Sequence, residues 1–453
     1  MKRKSVISRL LTGIKSKTTF LNTIFIYMKT GRNLLFLILI ILLSGRSFSQ
    51  ATIYSNSIKS IKLYKAGDQT AFPAIALGSG EVLQLAFDDL TTSVRNYYYT
   101  YVLCNADWTP SMLHSFEYTR GFDNNRITTY RNSSLASTHY VHYEAVFPDR
   151  NSYPTKSGNY LLKVFLNNDT SRTVFEKRFV VYTSGANVAA QVQQPFNATL
   201  FRTGQKLQVV VTTEQRITPM APTDIKVAIL QNNNWATSLF INRPTITRGN
   251  YYEYSDEAET GMMAGREFRW IDLRSIRLMS DRMQSIENKP EYVVVNVKPE
   301  AARQGEAYVF YRDYDGSYSI ESMENINPFW QADYAQVRFT YLPPNRRPIE
   351  GTDVYIFGEM TNYAMDSSGK MTFNPDKGVY EKTLLLKQGY YNYLYATRPV
   401  SGTGPVDFSQ TEGNFWATEN SYIILVYYRP FGARSDEVIG YASLSSVFQR
   451  QGF

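Results

Sequence analysis

Hydrophobic and polar residues alternate along most of the chain, which is the pattern of strands that bury one face. In residues 82–87, for example, Leu83, Leu85 and Phe87 fall on one side of an extended segment. Apolar residues spaced three or four apart, as an amphipathic helix requires, are scarce. Short alternating runs bounded by Gly, Pro, Asn and Asp therefore predict an all-β protein.

Turn and linker residues divide these runs into three units. Residues 50–184 contain six or so short strands, which is the signature of a β-sandwich. A linker at 184–186 leads into a second strand-rich unit over 185–325, and a third covers 326–453. We predict three consecutive immunoglobulin-like or early-set β-sandwich domains with these bounds.

The N-terminal segment has the organisation of an export signal. Residues 34–43 form an unbroken apolar run (LLFLILIILL) that follows a short basic stretch. This run is too short to span a bilayer comfortably, and small residues precede a cleavage site near Ser49/Gln50. We predict that residues 1–49 are an N-terminal extension and a cleaved signal peptide, the alternative being an uncleaved anchor helix. Residues 1–27 precede a second methionine and are either an unusually long leader or the product of a start codon placed too early.

The basic charge of the chain belongs to this segment. The whole sequence has 48 Lys and Arg against 40 Asp and Glu, a net charge of +8. Nine of the basic residues and none of the acidic residues lie in residues 1–49, so residues 50–453 carry a net charge of −1. A nucleic-acid partner, which the total charge suggests, is therefore not expected. We predict a periplasmic location and no membrane span in the mature chain.

Few residues of the sequence are suited to holding a metal ion or a cofactor. The only cysteine, Cys104, ends an apolar run and is expected to behave as a small buried hydrophobe. His139 and His142 are three apart in a predicted strand, where such residues point to opposite faces. The run Asp313-Tyr314-Asp315-Gly316 has a slight similarity to a calcium loop but fits a hairpin turn better. We predict neither a metal nor a cofactor.

Catalytic signatures are also missing from the sequence. It contains no Gly-x-Ser-x-Gly elbow, no phosphate-binding Walker loop and no Gly-x-Gly-x-x-Gly. Asp88 and Asp89 are adjacent at a strand end, so their side chains are expected to diverge rather than act together. An exported hydrolase has no motif in its favour, and we predict that the protein is not an enzyme.

The first unit carries a family resemblance. Residues 85–90 (LAFDDL), 99–108 (YTYVLCNADW), 118–122 (YTRGF) and 157–160 (SGNY) resemble the type 9 secretion system plug protein family, as does the stretch 265–276. Leu103 departs from that family, since a His is expected there in many relatives. The candidate partner-contact or motif residues are Cys104, Asn105, Asp107, Trp108, Phe122, Trp270 and Tyr363.

The resemblance implies a function that composition does not. Plug proteins are periplasmic and all-β, and they bind the periplasmic mouth of the giant outer-membrane translocon barrel. They seal its pore when the barrel is idle, by steric occlusion and without catalytic residues. The resemblance therefore implies that the barrel is the partner of this chain.

The third unit offers an alternative function. Residues 354–363, 378–380 and 389–393 are similar to early-set glycogen-binding modules. Those modules carry a Trp where Tyr363 stands, and sugar stacking depends on such aromatic residues. The alternative is therefore a periplasmic carbohydrate-binding protein that uses its C-terminal module.

Overall fold

Strands make up nearly all of the regular structure, so the predicted all-β class of sandwich domains is confirmed. The computed structural model describes residues 51–402 and 404–447. The predicted signal peptide and its cleavage site at Ser49/Gln50 lie outside the described residues. The helices are single turns: α1 (Ser115–Tyr118), α2 (Glu257–Thr260) and α3 (Pro328–Gln331), with 3₁₀ turns at Thr170–Arg172, Pro222–Asp224, Pro344–Arg346 and Glu359–Thr361.

Within the described residues, the first sandwich contains twelve strands. They are β1 (Ala51–Ile53), β2 (Ile58–Lys65), β3 (Ala74–Ala76), β4 (Leu83–Asp89), β5 (Tyr97–Cys104), β6 (Thr119–Gly121), β7 (Asn125–Arg126), β8 (Thr129–Asn132), β9 (Val141–Phe147), β10 (Ser152–Pro154), β11 (Gly158–Leu166) and β12 (Thr173–Tyr182). One sheet has the order β1-β12-β11-β5-β7 with β3 beside β12, the other β2-β4-β9-β8, and β10 pairs with β6. Alternating apolar side chains from the two main sheets fill one core between them, including Phe87, Tyr97 and Tyr143.

The chain then begins a second sandwich and leaves it before it is complete. Its first strands are β13 (Ala186–Gln193), β14 (Gly204–Thr213), β15 (Ile225–Gln231), β16 (Asn234–Ile241), β17 (Ile246–Arg248), β18 (Tyr251–Tyr254) and β19 (Gly261–Met263). Strands β13-β14-β18-β17, with β19 beside β14, form one sheet. Of the other sheet, this part of the chain supplies β16 and β15.

The third sandwich follows, and its strands are consecutive in the chain. They are β20 (Arg269–Asp272), β21 (Met283–Asn288), β22 (Val293–Val297), β23 (Glu300–Ala301), β24 (Tyr318–Ile320), β25 (Tyr334–Leu342), β26 (Thr352–Phe357), β27 (Thr372–Asn374), β28 (Val379–Lys387) and β29 (Gly389–Pro399). One sheet has the order β20-β29-β24 with β26 beside β29, and the other β21-β22-β25-β28-β27 with β23 beside β25.

The last two strands, β30 (Ser421–Tyr428) and β31 (Glu437–Ser445), return to the second sandwich. They complete the sheet β16-β15-β30-β31, in which Ile225 pairs with Tyr428 and Gln231 with Tyr422. The third sandwich is thus an insertion in the second, and the strand pairing does not follow the predicted ranges 185–325 and 326–453. The difference arises because alternation reports which faces of a strand are buried and carries no information on its partner.

One predicted hairpin is wrong. The Asp-Gly pair in residues 314–317 predicts a hairpin between two alternating runs, and a turn is present there, in which the Ser317 N–H donates to the Tyr314 carbonyl at 2.9 Å. The preceding residues 307–312 form no strand, so the turn does not connect a strand pair. Aromatic alternation in that segment instead reflects packing against neighbours, as between Tyr311 and Trp270, whose ring centres are 5.0 Å apart.

Buried charges join the first sandwich to the third. Asp88 on β4 accepts a 2.5 Å hydrogen bond from Lys387 Nζ on β28 and a 2.6 Å bond from the Tyr334 hydroxyl on β25. Its other oxygen lies 2.6 Å from His142 Nδ1 on β9. Burial alone would raise the pKa of Asp88, but the Lys387 charge and the His142 hydrogen bond outweigh it and lower the pKa. Asp89 points away to Arg95 at 2.6 Å, so the two neighbouring acids diverge as predicted.

A second buried ion network lies inside the third sandwich. Glu412, fully buried, accepts from Arg269 Nε at 3.0 Å and from Arg303 Nε at 2.6 Å. Burial would raise the pKa of Glu412, but the two guanidinium groups lower it from 4.5 to about 2. Arg269 belongs to the stretch 265–276 that carries the family resemblance, and its contacts give that stretch a structural role.

We expect the substitution Lys387→Met to lower the free energy of unfolding by about 3 kcal/mol, because it leaves Asp88 as a buried charge without its cation. Denaturant unfolding of the purified chain measures this. The matched control is Lys370→Met in the same sandwich, which removes a largely exposed 2.7 Å pair with Asp353 and should cost less than about 1 kcal/mol. Equal losses in the two variants would contradict the importance of the buried pair.

The Glu412 network predicts a loss of stability in acid. A carboxyl whose pKa is lowered by folding stabilises the fold above its ordinary pKa and ceases to do so as the pH falls through its folded pKa. This contribution should therefore disappear between pH 4.5 and about 2, and it amounts to about 3 kcal/mol. Unfolding curves over this range should show a smaller pH slope for Glu412→Gln than for the exposed control Glu350→Gln; identical slopes would argue against the network.

Candidate interaction surface

The predicted motif after β5 lies where the first sandwich meets the second. Cys104 is 1% exposed, and burial raises the pKa of its thiol to about 12, so it is protonated at neutral pH. Asn105 Oδ1 accepts from Arg429 Nη2 at 2.9 Å, and Asp436 Oδ2 accepts from the Ala106 N–H at 2.9 Å. These bonds to the segment after β30 fix the motif against the second sandwich.

Trp108 is packed in this junction. Asp107 closes the turn that carries it, accepting from the Thr109 N–H at 2.9 Å, and Trp108 adopts a left-handed φ of 65°. The Trp108 ring meets the Trp235 ring of the second sandwich edge to face, with centres 4.7 Å apart. The Arg178 guanidinium lies 4.4 Å from the centre of the Trp108 ring. Trp108 therefore holds two sandwiches together and does not project as an exposed anchor.

The other predicted residues are dispersed. Phe122 follows β6 and is 67% exposed. Trp270 is half-buried on β20, beneath the Arg282 guanidinium at 3.7 Å from its ring centre. Tyr363 is 3% exposed and packs edge to face against Phe357 at 5.4 Å. A buried ring offers no face to a sugar, so the position of Tyr363 does not support the carbohydrate-binding alternative.

A group of exposed apolar side chains, which the sequence pattern does not predict, surrounds the same junction. Their side chains are 40–88% exposed, and they come from loops, strand ends and the single turn α1 of the two sandwiches. We call this group the junction patch; its members are Met112, Phe116, Met220, Phe240 and Phe431. Met220, Phe240 and Phe431 line an open groove of about 920 Å³ together with Asn105 and Asp107. Alternation could not reveal the patch, because these residues come from elements and loops that are separate in the sequence.

The two halves of the junction patch are held in fixed relation. Glu117 of α1, beside Phe116, forms an ion pair with Arg434, which follows Phe431 in the same loop. The His114 ring stacks on Phe116 at 5.6 Å. Exposed Met and Phe side chains with a polar rim have the composition of a protein–protein interface. The arrangement is suited to binding another protein.

The strands and this patch define a class: an all-β protein of packed sandwiches that presents an apolar surface at a sandwich junction. Residues 58–183, which run from β2 to the end of β12, match the family model described as type 9 secretion system plug protein 1st domain. The chain belongs to the type 9 secretion system plug protein family, and this membership associates it with type 9 secretion.

A solved structure of similar sequence has the same fold. A crystal structure of a hypothetical protein from Parabacteroides merdae is 30% identical, with a TM-score of 0.83 over 87% of this chain and 98% of that chain. The B domain of a biofilm associated protein aligns over 86% of each chain at 8% identity with a TM-score of 0.15, which is too low to bear on the fold. No curated protein matches the sequence at a significant level. Within the described residues, every helix is too short or too polar to cross a membrane.

We expect Trp108→Ala to reduce the free energy of unfolding by about 3 kcal/mol, since it removes a ring packed between two sandwiches. Thermal and denaturant unfolding measure this loss. The control Phe122→Ala, an exposed ring on the same sandwich, should change stability by no more than about 0.5 kcal/mol. A Trp108 variant as stable as the wild type would show that the junction does not depend on this contact.

Proposed function

We propose that this protein is a non-enzymatic plug of the type 9 secretion system. It binds the periplasmic mouth of the giant outer-membrane translocon barrel and closes the pore while no cargo is in transit. It reaches the periplasm through a signal peptide cleaved near Ser49/Gln50. Membership of the family through the first sandwich supports this assignment.

The junction patch is the observation that carries the proposal. Phe and Met side chains are enriched in the cores of protein interfaces relative to the rest of a protein surface. The patch adjoins the motif at Asn105–Trp108, which belongs to the most family-like part of the sequence. It is therefore the surface that we assign to the barrel.

Charge is consistent with this kind of contact. Residues 50–453 carry a net charge of −1, so long-range attraction to a charged partner is weak. Binding through an apolar patch with a polar rim depends little on ionic strength. Occlusion by such a surface needs no chemical step.

The carbohydrate-binding alternative has less support. It depended on Tyr363, whose ring is 3% exposed and turned into the core of the third sandwich. No specific observation favours a second function for this chain.

The experiment is a tagged pull-down from detergent-solubilised envelope with mass spectrometry. The wild type should recover a giant outer-membrane barrel, and the double variant Met220→Ser, Phe431→Ser should recover at least tenfold less, since it removes two exposed anchors of the patch. The matched control is Phe196→Ser: Phe196 is 86% exposed in the same sandwich, next to the opposite end of the ten-residue strand β14, which is about 30 Å long.

Two results would contradict the proposal. A wild-type chain that never recovers such a barrel would exclude plugging, and equal losses for the patch variant and for Phe196→Ser would exclude this surface. A deletion strain supplies an independent measurement, because an open pore should admit small dyes through the outer membrane. Unchanged permeability in that strain would oppose pore sealing.

A further inference from the structure

Three carboxylates meet where the third sandwich joins the second. Oxygen atoms of Asp313, Asp315 and Glu419 all lie within 4.8 Å of one another; we call these residues the carboxylate cluster. Asp313 and Asp315 lie in the turn before β24, and Glu419 lies two residues before β30. The third member comes from a distant part of the sequence, so a linear motif could not include it.

A fourth carboxylate lies against the cluster. Glu267 is 1% exposed, and its Oε1 atom accepts from the backbone N–H of Glu419 at 3.3 Å. The N–H of the next residue, Phe268, donates to Asp313 Oδ2 at 2.5 Å. Residues 267 and 268 therefore contact both segments that build the cluster, Glu267 through Glu419 and Phe268 through Asp313.

Two oxygen atoms of this group lack a partner. Glu267 Oε2 is buried and, like Asp315 Oδ1, has no hydrogen-bond partner within the described residues, although Ser421 lies beside the Asp315 carboxylate and acts to lower its pKa. A buried polar atom without a partner costs about 1–3 kcal/mol. In the part of the chain that the structure describes, none of the four carboxylates forms an ion pair with Lys or Arg. Arg303 donates to the Glu267 backbone carbonyl at 2.9 Å, and its Nε donates to Glu412.

The negative charge of the group is therefore not balanced by the protein. Burial, together with the charges of Glu419 and Glu267, raises the pKa of Asp313 to about 7. Burial and the neighbouring charges of Glu419 and Asp313 also raise the pKa of Asp315. Protons or a bound cation must supply the missing positive charge.

We propose that the carboxylate cluster binds a calcium ion, with Asp313, Asp315 and Glu419 as ligands and Glu267 behind them. All of these ligands are hard oxygen atoms, which suit calcium, and the cluster contains none of the His or Cys ligands that zinc favours. Calcium also accepts the irregular geometry of ligands drawn from separate loops, whereas magnesium demands a nearly ideal octahedron.

The position of the site gives the ion a structural role. Glu267 precedes β20 by two residues, at the point where the chain enters the third sandwich, and Glu419 stands where it returns. An ion held by the cluster would link the two connecting segments, which contain Glu267 and Glu419, to the Asp313–Asp315 turn. It thereby fixes the inserted sandwich against the second sandwich.

Calcium binding to the chelator-treated mature chain is measured by isothermal titration calorimetry and thermal unfolding. We expect one site with a Kd of about 10⁻⁴–10⁻³ M, a higher unfolding temperature with calcium, and weaker binding of magnesium. Amide exchange in residues 264–268 and 413–420 should slow when calcium binds.

The variants Asp315→Asn and Glu419→Gln should weaken calcium binding at least tenfold. The control Asp366→Asn removes an exposed carboxylate of the same sandwich, one that accepts from the Ser368 N–H at 2.8 Å, and should bind calcium as the wild type does. Circular dichroism shows whether each variant is folded, and a variant that fails to fold is replaced by Asp313→Asn. Absence of calcium binding at several millimolar, or unchanged binding in the folded cluster variants, would overturn the proposal in favour of a cluster that holds protons only.

Discussion

Strand β30 has to return to strand β15, and the arrangement of the whole chain depends on this pairing. Because the two strands are far apart in sequence, the chain must leave the second sandwich after β19, form the third sandwich, and come back to the same place. The two segments that connect the second sandwich to the third are hydrogen-bonded to each other. The Phe415 N–H donates to the Gly265 carbonyl at 3.0 Å, and Asn420 Nδ2 donates to the Ala264 carbonyl at 2.9 Å. A sandwich fixed at both ends has little freedom to swing as a separate domain.

The first sandwich is then fastened to both of the others by different means. Towards the third it uses buried charges, with Lys387 on Asp88 at 2.5 Å, and towards the second it uses packed rings and the Ala106–Asp436 hydrogen bond at 2.9 Å. Breaking a buried ion pair costs several kcal/mol, so these contacts resist separation. A protein that closes a pore by occlusion must keep its shape, and three mutually fastened sandwiches provide such a body.

The sequence predicted those features that depend on local alternation. These include the all-β class, the strands around Cys104 and the divergence of Asp88 and Asp89. It could not predict the insertion, because a strand's pattern is the same whichever partner it has. The burial of Tyr363 and the carboxylate cluster were missed for a related reason: both result from loops that meet only after the third sandwich has folded. The junction patch likewise joins residues from separate elements.

The composition of the junction patch links the proposed function to the strand pairing. The family model covers residues 58–183, which supply Met112 and Phe116. Met220, Phe240 and Phe431 come from the second sandwich, and Phe431 is in place only because β30 has returned to β15. The first sandwich alone would therefore present only part of this surface. A complete binding face requires the insertion to close, so the constraint that organises the fold also assembles the surface that we assign to the barrel.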